Sequence, residues 1–175
     1  VNSTLSPGVI KFNASSFNVG DLGKWTTTSL TNIYSMFMYA GALSGTWYVG
    51  DLSTWNVSNV ENFVNLFYYA GYGASSFNVG DLSSWNVGKA TSFESTFAYS
   101  GYSASTWNVG TLSTWNTSGV TSMKGMFYKA GYNASSINLN VGSWNVSNVS
   151  NMSALFSSLG YNATTVSIGD LSNWD

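Results

Sequence analysis

The residues able to carry chemistry in this 175-residue chain are few, and their spacing is regular. The acids are Asp21, Asp51, Asp81, Asp170, Asp175, Glu61 and Glu94. General acid–base catalysis needs a carboxylate facing a second titratable group at defined spacing. Here Asp21, Asp51, Asp81 and Asp170 occupy one place in a repeated pattern, and Glu61 and Glu94 fall at two others. The chain has no His to activate a Ser or Thr hydroxyl and no Cys to serve as thiolate or metal ligand. No catalytic residue and no cofactor is expected, and the chain reads as non-enzymatic.

Three arrangements remain as candidate sites. Asp21, Asp51 and Asp81 lie 30 residues apart, so stacked units would bring like charges together. A Ca²⁺ ion would neutralise such a column. Alternatively, each Asp caps its own turn through backbone N–H groups. The interruption of the column at Thr111 favours the turn, and no metal site is assigned. Tyr39, Tyr69 and Tyr99 share one repeat position, and Tyr68 and Tyr128 share the preceding one. Such a ladder would stack on sugar rings, meet a partner protein, or simply cover gaps between units. Acceptor sequons for N-glycosylation begin at Asn2, Asn13, Asn56, Asn116, Asn133, Asn145, Asn148, Asn151 and Asn162. About five would arise by chance from this composition, and several belong to a W-N-V-S string that the repeat itself uses.

Composition narrows the class further. Only 7% of residues are charged, against about 25% in ordinary soluble proteins. Small polar residues take their place: 31 Ser, 16 Thr and 20 Asn. Five lysines, no arginine and a net charge of −2 exclude a phosphate-reading face, so no nucleic-acid partner is expected. No apolar run approaches the ~20 residues of a membrane span, so no membrane insertion is expected. A polar, Gly-rich chain invites a reading of disorder, but aromatic residues make up 17% of the chain and fall in fixed columns.

Those columns expose the elements that must hold the candidate residues. Trp25, Trp55, Trp85 and Trp115 are 30 residues apart; Trp144 follows after 29 and Trp174 after another 30. The unit reads V-G-D-L-S-x-W-N-V-S-x-V-x-x-F-x-x-L-F-x-x-A-G-Y-x-A-S-S-F-N. Copies start at positions 19, 49, 79, 109 and 139, with a partial copy from 168. Residues 1–18 form an N-terminal cap or partial repeat, and 19–175 the repeat array. Within a unit, Ser75 to Val79 alternates as a short strand. Val60, Phe63, Leu66, Phe67 and Ala70 follow a helical spacing, which predicts a helix from Ser58 to Gly71 with a Ser58/Glu61 capping box. One short strand and one short helix per unit predict an α/β solenoid of the leucine-rich-repeat kind. Its helices would lie on the convex side, because helices pack 8–10 Å apart and strands ~4.8 Å.

The string from Trp144 through Asn145-Val146-Ser147 to Leu155-Phe156, and that from Val120 to Phe127, are similar to the repeat of BspA-type leucine-rich-repeat surface proteins, W-[DN]-x-S-x-V-x-x-M-x-x-M-F. The resemblance extends over nearly the whole chain from Val19. It implies an extracellular or cell-surface protein used in adhesion or surface architecture. This unit is longer than many family repeats, and the first carries Trp25-Thr26-Thr27-Thr28 in place of W-N-V-S.

Apolar residues at the two ends of the array suggest how copies would meet. Val166, Ile168, Leu171 and Trp174 lie at one end, and Phe12 and Phe17 at the other. An open strand edge is an association site, so end-to-end self-association into a surface filament, or continuation into a longer array, is the leading expectation. A monomeric adhesin that binds host or surface glycans or proteins through the tyrosine ladder is the alternative.

Overall fold

The computed structural model describes residues 14–174. Each unit contributes one three-residue strand: β1 (Ser16–Asn18), β2 (Thr46–Tyr48), β3 (Ser76–Asn78), β4 (Thr106–Asn108), β5 (Ser136–Asn138) and β6 (Thr165–Ser167). They pair in parallel as β1–β2, β3–β4 and β5–β6, with Phe17 opposite Trp47, Phe77 opposite Trp107 and Ile137 opposite Val166. A second ladder of parallel bridges runs from Asn32 through Asn62, Ser92 and Ser122 to Asn151. Each rung of these ladders is one repeat, so the sequence columns are also spatial columns.

A correction concerns the helix. No α-helix is present among the described residues. The segment after Ser58 is a run of overlapping turns in which alternate amides have different destinations. Leu66, Tyr68 and Ala70 donate locally to the carbonyls of Phe63, Asn65 and Phe67 at 3.2, 3.1 and 2.9 Å. The amides between them, Asn65, Phe67 and Tyr69, donate instead to Glu94, Thr96 and Ala98 of the next unit at 3.0, 2.7 and 2.9 Å. Asn65, Tyr69 and Gly71 have φ of 57°, 58° and 54°, in the left-handed region that breaks a right-handed helix. The capping box is likewise absent: the Ser58 amide donates to Asn56 Oδ1 at 3.0 Å and the Glu61 amide to the Thr31 carbonyl at 3.2 Å.

The physical reason lies in what the apolar spacing can encode. A chain of turns returns a side chain inward every three or four residues, as a helix does, and Phe63, Leu66, Phe67 and Ala70 are fully buried. A helix of about 11 residues is marginal alone. The turn chain makes backbone bonds to both neighbouring units, which a helix, with its polar groups satisfied internally, cannot. The helical layer expected on a convex side is absent among the described residues. Phe37, Phe67, Phe97 and Phe127 stack with centroids 5.3, 5.4 and 5.4 Å apart, close to the strand spacing rather than the helix spacing.

The core is a set of continuous columns. Trp47, Phe77, Trp107 and Ile137 behind the strands, the leucines at 22, 52, 82 and 112, and the tryptophans at 55, 85, 115 and 144 are all buried. Each of those tryptophans donates its indole N–H to a carbonyl of the preceding unit: Trp55 to Leu22, Trp85 to Leu52, Trp115 to Leu82 and Trp144 to Leu112, all at 2.8 Å. A phenylalanine could fill the column but could not make this tie.

The hydroxyl-rich composition has a similar explanation. Thr54 donates to the Gly23 carbonyl and Ser84 to that of Ser53, both at 2.6 Å. Thr91, Thr121 and Ser150 donate to Glu61, Thr91 and Thr121 at 3.2, 3.2 and 3.1 Å. Ser and Thr thus bond successive units where other soluble proteins carry charge.

Candidate functional site: a tyrosine field beside capped turns

The run of turns carries the tyrosines on its outer side. Tyr39, Tyr69 and Tyr99 sit in the left-handed region, with φ of 60°, 58° and 59°. Their rings form a row, with Tyr39–Tyr69 centroids 5.2 Å apart and Tyr69–Tyr99 4.2 Å apart at 21°. Tyr68 meets Tyr69 edge-on at 4.8 Å, and Tyr128 meets Tyr99 edge-on at 5.1 Å. A further row, absent from the sequence-based ladder, runs alongside: Tyr72–Tyr102, Tyr102–Tyr132 and Tyr132–Tyr161 stack at 4.7, 4.5 and 4.9 Å. Tyr69 joins the rows by stacking on Tyr72 at 5.1 Å. The signal was the G-Y pair of the unit; the glycine sets the turn and the following side chain emerges beside the first row.

Electrostatics in this field favour neutral phenols. Burial raises the pKa of Tyr69 well above the usual phenol value, and the neighbouring hydroxyls of Tyr99 and Tyr68 add to the shift. Burial first, then nearby tyrosines, also raises Tyr68, Tyr72 and Tyr132. Burial and the Tyr128 hydroxyl raise Tyr99. The Lys129 ammonium lies 5.5 Å from the Tyr99 ring centre and 5.3 Å from that of Tyr128, a cation–π position.

The stacking decides what this surface can contact. Within each row a ring's faces are covered by the rings of adjacent units, so the field presents edges and hydroxyls. Sugar recognition by stacking needs an open ring face. In the two stacked rows such a face is left at the ends, as at Tyr161, which is 67% exposed.

The aspartates sit on a different turn of the unit. Asp21, Asp51 and Asp81 precede the 3₁₀ turns Leu22–Lys24, Leu52–Thr54 and Leu82–Ser84, and their Oδ1 atoms accept from Gly23, Ser53 and Ser83 amides at 3.1, 2.9 and 3.0 Å. Asp170 does the same with Ser172 at 2.9 Å, and this bond holds its carboxyl below the usual range. The fourth unit has Thr111 here and forms no 3₁₀ turn. No group of three His, Cys, Asp or Glu is placed to hold a metal among the described residues. Glu94 lies 3.5 Å from Lys124 in a surface ion pair, and Glu61 is exposed elsewhere.

The sequon asparagines from Asn56 onward are exposed, yet all seven are engaged. Asn56, Asn116, Asn145 and Asn151 accept from the amide two residues ahead at 3.0 to 3.1 Å. Asn148 donates to the Ser118 carbonyl at 2.7 Å, and Asn162 to Asn133 Oδ1 at 2.6 Å. Asn2 and Asn13 lie outside the described residues, as does Phe12.

Apolar residues gather at both ends of the described array. Val166 is 46% exposed on β6, with Ile168, Leu171 and Trp174 half-buried behind it. At the other end, half-buried Phe17 joins Val19, Leu22, Trp25 and Phe37 around a cavity of about 290 Å³.

No curated protein and no solved structure matches this chain. One family does, over residues 9–110 and again over 102–175, and together the two matches span the array. The chain therefore belongs to the repeat-containing family described as "Mycoplasma protein of unknown function, DUF285".

Proposed function

We propose that the chain is a non-enzymatic stretch of an extracellular repeat scaffold, a solenoid that builds surface structure by stacking units end to end. One observation carries this reading: the same interface recurs from unit to unit, with its backbone ladders, aromatic columns and indole-to-carbonyl tie. A face of that kind is complementary to any further copy of the unit, whether in the same chain or in another. Head-to-tail contacts of this sort propagate into filaments when they do not close. The similarity to BspA-type repeats supports a place at the cell surface. Sparse charge adds little repulsion between copies.

An adhesin is the second reading, favoured by the uncharged tyrosine field. It would engage a partner through hydroxyls and ring edges, since the ring faces are occupied within the rows.

Negative-stain microscopy and sedimentation of the purified chain test the scaffold. End-to-end rods are expected. Val166→Lys with Leu171→Lys should shorten them while leaving the interior units folded by circular dichroism. Rods unaffected by the double substitution would place the contact elsewhere, and a strictly monomeric chain that captures a glycan or protein would favour the adhesin.

A further inference from the structure

We infer that the tyrosine field is a site of oxidative cross-linking, in which neighbouring units become joined by dityrosine bonds, first between Tyr69 and Tyr99. Tyr69 and Tyr99 have the closest ring centroids in the field, 4.2 Å apart at 21°. Both residues are half-buried, so each keeps part of its surface in solvent within reach of an oxidant. Both residues share the same left-handed backbone, with φ of 58° and 59°. Tyr72 and Tyr102 form a second stacked pair at 4.7 Å and 14°. Contacts of 4.2 to 5.2 Å link Tyr39, Tyr69, Tyr99, Tyr72, Tyr102, Tyr132 and Tyr161 into one continuous set. A radical formed at any member therefore has a phenol neighbour. With no cysteine in the chain, disulfides cannot tie the units.

The chemistry balances with a peroxide acting through a haem peroxidase. Each phenol gives up one electron and one proton and becomes a phenoxyl radical. The two radicals form a carbon–carbon bond between ring carbons ortho to oxygen. The hydrogens on those carbons then move to the oxygens as the rings regain aromaticity. Two tyrosines lose two hydrogens in all, and one hydrogen peroxide is reduced to two waters. The product bridges residues 69 and 99, closing a loop that the unfolded chain could no longer open.

The test treats the purified full chain, dilute enough to be monomeric, with hydrogen peroxide and a haem peroxidase. The expected product has lost two hydrogens, has monomer mass and shows dityrosine fluorescence. Its proteolytic map should join the peptides carrying Tyr69 and Tyr99, with a yield independent of protein concentration. Its unfolding midpoint in denaturant should rise. Tyr69→Phe keeps the ring and should abolish the 69–99 link while sparing the 72–102 link. Tyr48→Phe, outside the field, should change neither. The proposal fails if the linked peptides come only from different chains. It also fails if methionine and Trp25 oxidation consumes the oxidant with no tyrosine link, or if Tyr69→Phe leaves the dityrosine map unchanged. Because the readout is intramolecular, it stands apart from whether the chain builds rods.

Discussion

Single polar atoms decide how well a buried tryptophan is seated within its own unit. Trp107 donates its indole N–H to Ser100 Oγ at 2.9 Å, and Ser100 in turn donates to the Phe97 carbonyl at 2.7 Å. Two units earlier, Trp47 occupies the same column, but Ala40 stands where Ser100 would be, and the buried Trp47 Nε1 has no partner among the described residues. A buried donor without an acceptor costs about 1–3 kcal/mol relative to a satisfied one. Ala40→Ser is therefore expected to raise the unfolding free energy by about 1 kcal/mol, and Ser100→Ala to lower it by a similar or larger amount. Denaturant melts of both variants check the pair. A destabilised Ala40→Ser would mean that the hydroxyl cannot reach the indole without strain.

The turn chain is the element that the fold depends on and that intrinsic propensity opposes. The unit position held by Asn65 has a left-handed φ of 53° to 59° whichever residue fills it: Ser35, Asn65, Ser95 and Ala154 all adopt it, as does Gly125. A left-handed backbone costs a residue with a Cβ roughly 1–2 kcal/mol, and backbone bonds to the next unit offset it. A Cβ at Gly125 would meet only Ser95 Oγ at 3.6 Å and Tyr128 Cβ at 3.8 Å, which is ordinary contact. Gly125→Ala should thus cost about 1 kcal/mol and report the backbone term alone. At Gly101 a new Cβ would collide with Phe77 Cβ, so Gly101→Ala should cost clearly more. Equal losses in the two variants would mean that packing around Phe77 yields easily.

Across the whole molecule the tyrosine field makes stability depend on alkaline pH. The folded state raises the pKa of Tyr68, Tyr69, Tyr72, Tyr99 and Tyr132 above the value of about 10 they take when unfolded. Below pH about 10 both states keep the phenol proton and the contribution is fully present. Above it the unfolded chain ionises first and the native state holds more protons, so unfolding free energy falls as pH rises toward the folded values. Stability should be level through neutral pH and decline above pH about 10. Tyr69→Phe should make that decline shallower. A decline just as steep in the variant would assign it to other groups.

The repeat, its columns and the exclusion of His and Cys chemistry were legible in the amino-acid order, because identity every 30 residues survives any choice of local conformation. The strands were legible too, since Ser76-Phe77-Asn78 alternates and Phe77 lands inside. The aspartate caps followed from Asp preceding a turn. The conformation between Ser58 and Gly71 was not legible. Burial of Phe63, Leu66, Phe67 and Ala70 fits a helix and a turn chain equally, and the bonds that decide between them run from Asn65, Phe67 and Tyr69 to a different unit. The same holds for the tyrosines. Their positions could be read from the columns, but which ring faces remain open depends on a unit spacing near 5 Å, and only the stacked tertiary structure sets that distance.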